Sequence, residues 1–365
     1  MQPINKNLDT MINKRSVWAF LVLSSVLVSS FAYYAYQIVY TANVNVGKEK
    51  TYIMIPVNGS FDSVRDSLYK YNLVNDVVSF SFLAKLMNYA ESVKPGIYEL
   101  EPNMTNIEAI RLLRAGNQVA TFVTYSYGRT VADIAEPMVK NIAITSGEFL
   151  QAVTDYTSSN KDGFTEETII GMFIPNTYQV YYTVTAQALV EKLNKEYHKF
   201  WNDERLLKAK ELGLSPKEVS ILASIVQAES VKGDESPIIA GLYYNRLKRG
   251  IPLQADPTLI FASGDFTIKR VLNKHKEIDS PYNTYKYVGL PPGPINMPSI
   301  QSIDAVLNYA THNYIYMCAK EDFSGYHNFT ASLSQHNVNA KKYQRALSAE
   351  IRKGKLLENQ SLENK

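Results

Sequence analysis

Ser215-Pro216-Lys217-Glu218-Val219-Ser220-Ile221-Leu222-Ala223-Ser224-Ile225-Val226-Gln227-Ala228-Glu229-Ser230 sets out a helix and closes its apolar face with a carboxylate. Ser215 and Glu218 stand three residues apart as a capping-box pair. Pro216 takes the first helical position, where its missing N–H costs nothing, so the helix starts at about Pro216. Steps of three, four and three put Val219, Leu222, Val226 and Glu229 on one face, and Glu229 points where that face points, toward packed protein. Apolar neighbours strip water from a carboxylate and keep it protonated nearer neutral pH, which makes Glu229 a candidate general acid. The same pattern fits a boundary residue that reaches water or pairs with a Lys or Arg. The chain beyond Glu229 is dense in polar, Gly and Pro residues, which suit a cleft rather than a core.

The chain around this helix has 365 residues, 45% of them hydrophobic, enough for two domains beyond an anchor. A net charge of +3, from 38 basic and 35 acidic side chains, gives no field for a polyanion, and no nucleic-acid partner is expected. The single cysteine, Cys318, excludes an intramolecular disulfide. His198, His275, His312, His327 and His336 show no metal-ligand spacing, so neither metal nor cofactor is expected.

From Val17 to Tyr40 there is no charged residue, a run that meets the ~20 residues a helix needs to cross a bilayer. Lys14 and Arg15 precede it and Tyr33, Tyr34, Tyr36 and Tyr40 crowd its far end, which places the body of the protein outside the cytoplasm. A cleaved signal peptide is the competing reading, since Val17 to Val28 is a short apolar core and Ser30-Phe31-Ala32 resembles a small-x-small cleavage site. Either way the remainder is exported.

The organisation reads as a basic N-terminus at 1–16, a span at 17–40, a polar linker at 41–50, a small domain at 51–116, a larger domain at 117–350 and a frayed polar tail at 351–365. The small domain runs strand, helix, helix, strand: Tyr52 to Val57 before the turn Asn58-Gly59, a helix capped by Ser60, a second over Asp76 to Ala90, and a strand from Ile97 to Leu100. Thr105 caps a helix to Arg114, and a strand from Val119 to Tyr125 leads to a helix at Val131 to Lys140. The segment Gly171 to Tyr178 reads as irregular. Two more helices run from Ala186 to about Trp201 and from Asp203 to Leu212, the second ended by Gly213. The whole is an α+β protein.

Beyond Glu229 lie a helix from Gly241 to Arg249, then Leu253-Gln254-Ala255-Asp256-Pro257-Thr258, Tyr282-Asn283-Thr284-Tyr285 and Gly289-Leu290-Pro291-Pro292-Gly293-Pro294-Ile295. Proline and glycine hold such loops in one irregular shape. Their Tyr, Asn, Gln and Thr side chains offer the aromatic faces and paired donors and acceptors that sugars require, although in a chain with 26 tyrosines a Tyr-rich loop also fits ordinary surface or core.

These stretches, with Ile221 to Glu229, Tyr244-Asn245-Arg246-Leu247, His327-Asn328-Phe329 and His336-Asn337, resemble the endolytic murein transglycosylases, the MltG or YceG-like group. The resemblance runs from the anchor to about Leu347 and is strongest from Glu229 to Asn337. It implies a transmembrane helix of the inner membrane, a small LysM-like α+β domain at 51–116, and a larger mixed α+β catalytic domain on the periplasmic side. It also implies lytic cleavage of the β-1,4 bond between N-acetylmuramic acid and N-acetylglucosamine in peptidoglycan glycan strands, in company with the cell-wall synthesis machinery.

The family's catalytic Glu falls on Glu229. Tyr244, Asn245, Gln254, Asp256, Tyr282, Asn283, Thr284, Tyr285, His327 and Asn328 become candidate substrate-binding residues. Hydrolytic glycosidases need two carboxyl groups, about 5–5.5 Å apart when retaining and about 6.5–9.5 Å when inverting. A lytic enzyme needs one, because the muramyl C6 hydroxyl supplies the nucleophile. Two positions depart from the family pattern: Gln227 stands where an acid is usual, and Phe173-Ile174-Pro175-Asn176-Thr177-Tyr178 carries an extra Ile, and Asn for Asp. Asp256 reads equally as a cap before Pro257. Two other readings keep the substrate: a hydrolytic muramidase using Glu229 and Asp256, or a peptidoglycan-binding module without catalysis.

Overall fold

The structure, a computed structural model, describes residues 14–47, 49–230 and 232–363, so the basic stretch expected at the N-terminus lies almost wholly outside the described residues. The chain divides into two compact units, the first comprising residues up to Thr121 with Tyr181–Thr183, the second Phe122–Val180 with Val184 onward.

The first unit begins with α1 (Lys14–Tyr40), long and apolar enough from Arg15 to Tyr40 to cross a membrane; its most apolar 18 residues have a mean hydropathy of 1.7 and lie outside any core. Its last turn behaves differently. Ile38 is buried in the core of this unit, and its carbonyl accepts a hydrogen bond from Asn106 Nδ2 at 3.0 Å. The segment read as a linker is fastened as well: Ala42 and Val44 bridge to Thr105 and Val74, and the buried Asn43 side chain donates to Asp76 O at 2.8 Å and Asn106 Oδ1 at 2.7 Å. Composition suggested a polar spacer, but buried amides satisfied by backbone make it part of the fold.

Then come β1 (Thr51–Ile55), α2 (Phe61–Lys70), α3 (Val77–Leu86), β2 (Gly96–Leu100) and α4 (Asn106–Ala115). The strands pair antiparallel, from Thr51 against Leu100 to Ile55 against Gly96, and their alternation sends Ile53, Ile55, Tyr98 and Leu100 into a core with Leu68, Phe80, Ile110 and Leu113. Ser60 and Thr105 cap α2 and α4 as expected from the sequence; Asp76, read as the first residue of its helix, caps α3 instead, and α3 stops at Leu86, short of the expected Ala90, because Met87 already leaves helical geometry.

β3 (Ala120–Tyr125) and β4 (Asn176–Tyr181) form a second two-stranded sheet, so the segment read as irregular resolves into a short 3₁₀ turn at Ile169–Met172 and a strand. The second unit is mainly helical: α5 (Val131–Val139), α6 (Ser146–Ser159), α7 (Ala186–Phe200), α8 (Asp203–Leu212), α9 (Pro216–Glu229), α10 (Ser236–Lys248), α11 (Asp256–Ser263), α12 (Asn273–Lys276) and α13 (Ile300–Leu307). A hairpin of β5 (Tyr316–Ala319) and β6 (His327–Thr330), antiparallel with Tyr316 against Thr330, precedes α14 (Leu333–Glu363). Where a frayed tail was expected over 351–365, α14 continues to Glu363.

Helix α9 forms the axis of this unit. Its capping box of Ser215 and Glu218 is made, with Pro216 in the first turn. One buried face was expected, yet every residue from Val219 to Val226 is buried, because α8, α10, α11 and α13 pack around it. The serines inside are satisfied locally: Ser220 Oγ donates to Pro216 O at 3.0 Å, and Ser224 Oγ donates to Ile221 O at 2.7 Å while accepting the Ile295 N–H at 3.0 Å. The Gly-Pro loop reaches α9 by passing close to other backbone. A Cβ at Gly293 would lie 1.9 Å from Glu167 O, so only glycine fits there.

Candidate active site

Glu229 is the last residue of α9, at the point where the helix emerges from its packed surroundings into a cavity of about 450 Å³. Tyr243, on α10, donates its hydroxyl to Glu229 Oε1 at 3.0 Å and is itself buried. Burial pushes the Glu229 carboxyl up to about 7, and the nearby charge of Asp256 acts in the same direction. The Tyr243 hydrogen bond and one from the Asp256 backbone N–H oppose the shift without cancelling it. A carboxyl in this state gives up a proton readily near neutrality and takes one back as readily.

Asp256 lines the same cavity. It opens α11, but the capping position is Ala255, and the Asp256 carboxylate accepts the Tyr285 hydroxyl at 2.5 Å instead of capping the helix. Burial, and after it that bond, raise the Tyr285 hydroxyl's pKa, so it remains a donor. Gln254 holds positive φ at 56°, its N–H donates to Thr284 O at 3.0 Å, and its side-chain oxygen accepts from Arg246 Nη1 at 3.2 Å. His327 completes the expected group: its backbone N–H and its Nδ1 lie 2.9 Å from the two oxygens of buried Glu235, which turns the ring edge bearing Nε2 away from that carboxylate. The cavity thus brings together Glu229, Gln254, Asp256, Tyr285 and His327.

The other candidates do not line this cavity. Tyr244 is buried, donates to Leu212 O at 2.9 Å and packs on Tyr309. Asn245 donates to His312 O at 2.7 Å and Tyr314 O at 3.0 Å. Asn283, fully buried, ties its loop by donating to Lys276 O and Ile278 O and accepting from Tyr285 N–H. Thr284 Oγ1 accepts from Ala255 N–H at 3.1 Å and shares a 2.8 Å bond with Thr258. Tyr282 packs on Phe261, and Asn328 donates to Glu321 at 3.3 Å. Polarity alone does not distinguish a side chain that meets a ligand from one that satisfies a buried carbonyl, and these do the latter or face elsewhere.

Three residues of the site had no place among the candidates. Tyr243 and Arg246 were legible in principle: Ile239, Tyr243 and Arg246 are spaced four and three apart on α10 and share the face that meets α9, whereas Tyr244 is turned away. Arg246 is buried and donates to Ile315 O at 2.7 Å, Pro252 O at 2.9 Å and Leu253 O at 2.8 Å, joining the α10 helix to the two chain segments that line the cavity. His336 stacks on Tyr316, and burial beside Arg246 lowers its pKa, which favours the neutral ring. Gln227 explains its own departure from an acid. Its Oε1 accepts Ser299 N–H at 2.6 Å while its Nε2 donates to Asn296 Oδ1 at 2.9 Å and Met297 O at 3.1 Å, a pair of roles a carboxylate cannot fill.

Comparison with known proteins gives concordant results. A family model described as the YceG-like family matches residues 53–342. The chain is 28% identical over 343 residues to the endolytic murein transglycosylase of Streptococcus pneumoniae serotype 2 strain D39, covering 84% of this chain and 61% of that protein. It is 28% identical over 311 residues to the endolytic murein transglycosylase of Bacillus subtilis strain 168, covering 80% of this chain and 84% of that one. The chain therefore spans about three fifths of the pneumococcal relative's length. A crystal structure of a YceG-like protein from Listeria monocytogenes superposes with a TM-score of 0.53 at 27% identity, covering 80% of this chain and 99% of the other.

Proposed function

The chain belongs to the YceG-like family, and we propose that it is a membrane-anchored lytic transglycosylase that cuts the β-1,4 bond between N-acetylmuramic acid and N-acetylglucosamine within peptidoglycan strands. The observation that carries this reading is Glu229, a carboxyl held near pH 7 in a polar cavity. Protonated Glu229 gives its proton to the glycosidic oxygen as the bond to muramyl C1 breaks. The resulting carboxylate takes the proton of the C6 hydroxyl as O6 closes on C1, which leaves a 1,6-anhydro end and consumes no water. Tyr243 occupies Oε1 and thereby orients the group so that Oε2 carries the proton. Gln254, Tyr285 and His327 supply donors and an aromatic face for the sugars around the cut bond.

The antiparallel β1-α2-α3-β2 unit supports a LysM-like, glycan-holding role for the small domain. Helix α1 supports a single-pass anchor in the inner membrane with both units outside the cytoplasm. Glu229→Gln provides the test: purified peptidoglycan incubated with the variant should release no anhydromuropeptides, and undiminished release would sink the proposal. Asp256 in the same cavity favours one second reading, a hydrolytic muramidase. Mass spectrometry separates the two, because the hydrolytic product is heavier by one water.

A further inference from the structure

A second cavity, of about 200 Å³, is lined by Tyr127, Arg129, Phe261 and Phe266 together with Ala228 and Pro257, the residues adjacent in sequence to Glu229 and Asp256. Arg129 is its one cation. The guanidinium lies 4.6 Å from the Phe266 ring centroid and, among the described residues, has no hydrogen-bond or ion-pair acceptor. The neighbouring carboxylate is engaged elsewhere: Asp133 Oδ2 accepts the backbone N–H groups of Arg129 and Thr130, both at 2.8 Å, as the cap of α5.

The loop that presents Arg129 is itself held. Gly128 O accepts Met297 N–H at 2.8 Å, and a Cβ at Gly128 would lie 2.5 Å from Ile134 Cγ2. A half-buried guanidinium stacked on an aromatic ring and lacking an anion is matched by a carboxylate, which its planar fork binds through two parallel hydrogen bonds. The N-acetylated sugars of the proposed substrate are neutral, and the muramyl lactyl group is consumed in its amide link to peptide. The carboxylates of a strand therefore reside on its peptides.

We infer that this cavity binds a carboxylate of the peptide attached to the strand being cut, with Arg129 as the residue that sets preference for a free over an amidated peptide. The inference rests on the lytic reading of Glu229. Full-length wild type, Arg129→Gln and Arg129→Lys are compared on peptidoglycan with free carboxylates and on the same material after carbodiimide coupling to methylamine. Wild type should show a KM about tenfold lower on the free form at similar kcat, the size of one well-made charged contact. Arg129→Gln should treat both substrates as wild type treats the amidated one, and Arg129→Lys should keep part of the preference.

Wild type without preference overturns the proposal, as does Arg129→Gln that discriminates like wild type. Loss of activity on both substrates by both variants marks a structural role and overturns it too. Wild type that yields no anhydro product from either substrate removes the lytic reading, and this inference falls with it.

Discussion

Glu229 and Tyr243 form a coupled pair whose pH behaviour follows from geometry. If the carboxyl must be protonated to act as acid, kcat/KM falls as pH rises through about 7, where burial has moved its pKa. The Tyr243 hydrogen bond pulls that pKa down, so Tyr243→Phe should move the falling limb to higher pH; a limb that stays in place or moves to lower pH would show that the hydroxyl does not act on Glu229. The place of Glu229 at the end of the apolar face was legible in the sequence because capping chemistry and helical spacing are local, while its expected role as the catalytic acid came from the family resemblance. Its partner was not, since the Tyr243 hydroxyl meets it only through the crossing of two helices fourteen residues apart in the chain. The amide at Gln227 was equally opaque: its four partners lie some seventy residues downstream.

Among the elements, several announced by strong local signals were readable and those defined by packing were not, while α6, despite its Thr145–Glu148 capping box, went unread. The helices capped by Ser60, Thr105 and Ser215 appear where those caps place them. Helix α10 starts at Ser236, five residues before its expected beginning, and α11 and α13 are too short for periodicity to reveal. The β5–β6 hairpin has half-buried residues on both faces and so lacks the alternation that marks a strand. Arg246 joins α10 to this hairpin and to the segment before α11. Replacing it with Met leaves carbonyls of Ile315, Pro252 and Leu253 without their donor, which should cost about 3 kcal/mol in urea unfolding. A loss under about 1 kcal/mol would mean that water restores those bonds.

At the scale of the whole molecule, the apolar helix and the first unit share residues. Ile38 belongs to the core of that unit, so a protein beginning at residue 41 should melt at lower temperature than one beginning at residue 34, by the equivalent of ~1–3 kcal/mol for one buried Ile. Equal melting temperatures would show that the last turn of α1 contributes nothing. On the proposed topology this grip has a kinetic meaning. A flexible tether lets a domain roam a volume whose radius grows with its length, and the encounter rate falls accordingly. With Ile38 and Asn43 clasped, no slack remains between span and small unit, and diffusion of that unit is confined to a sheet parallel to the bilayer. The quantity that governs its encounters is then strands per area of membrane, not strands per volume of the compartment.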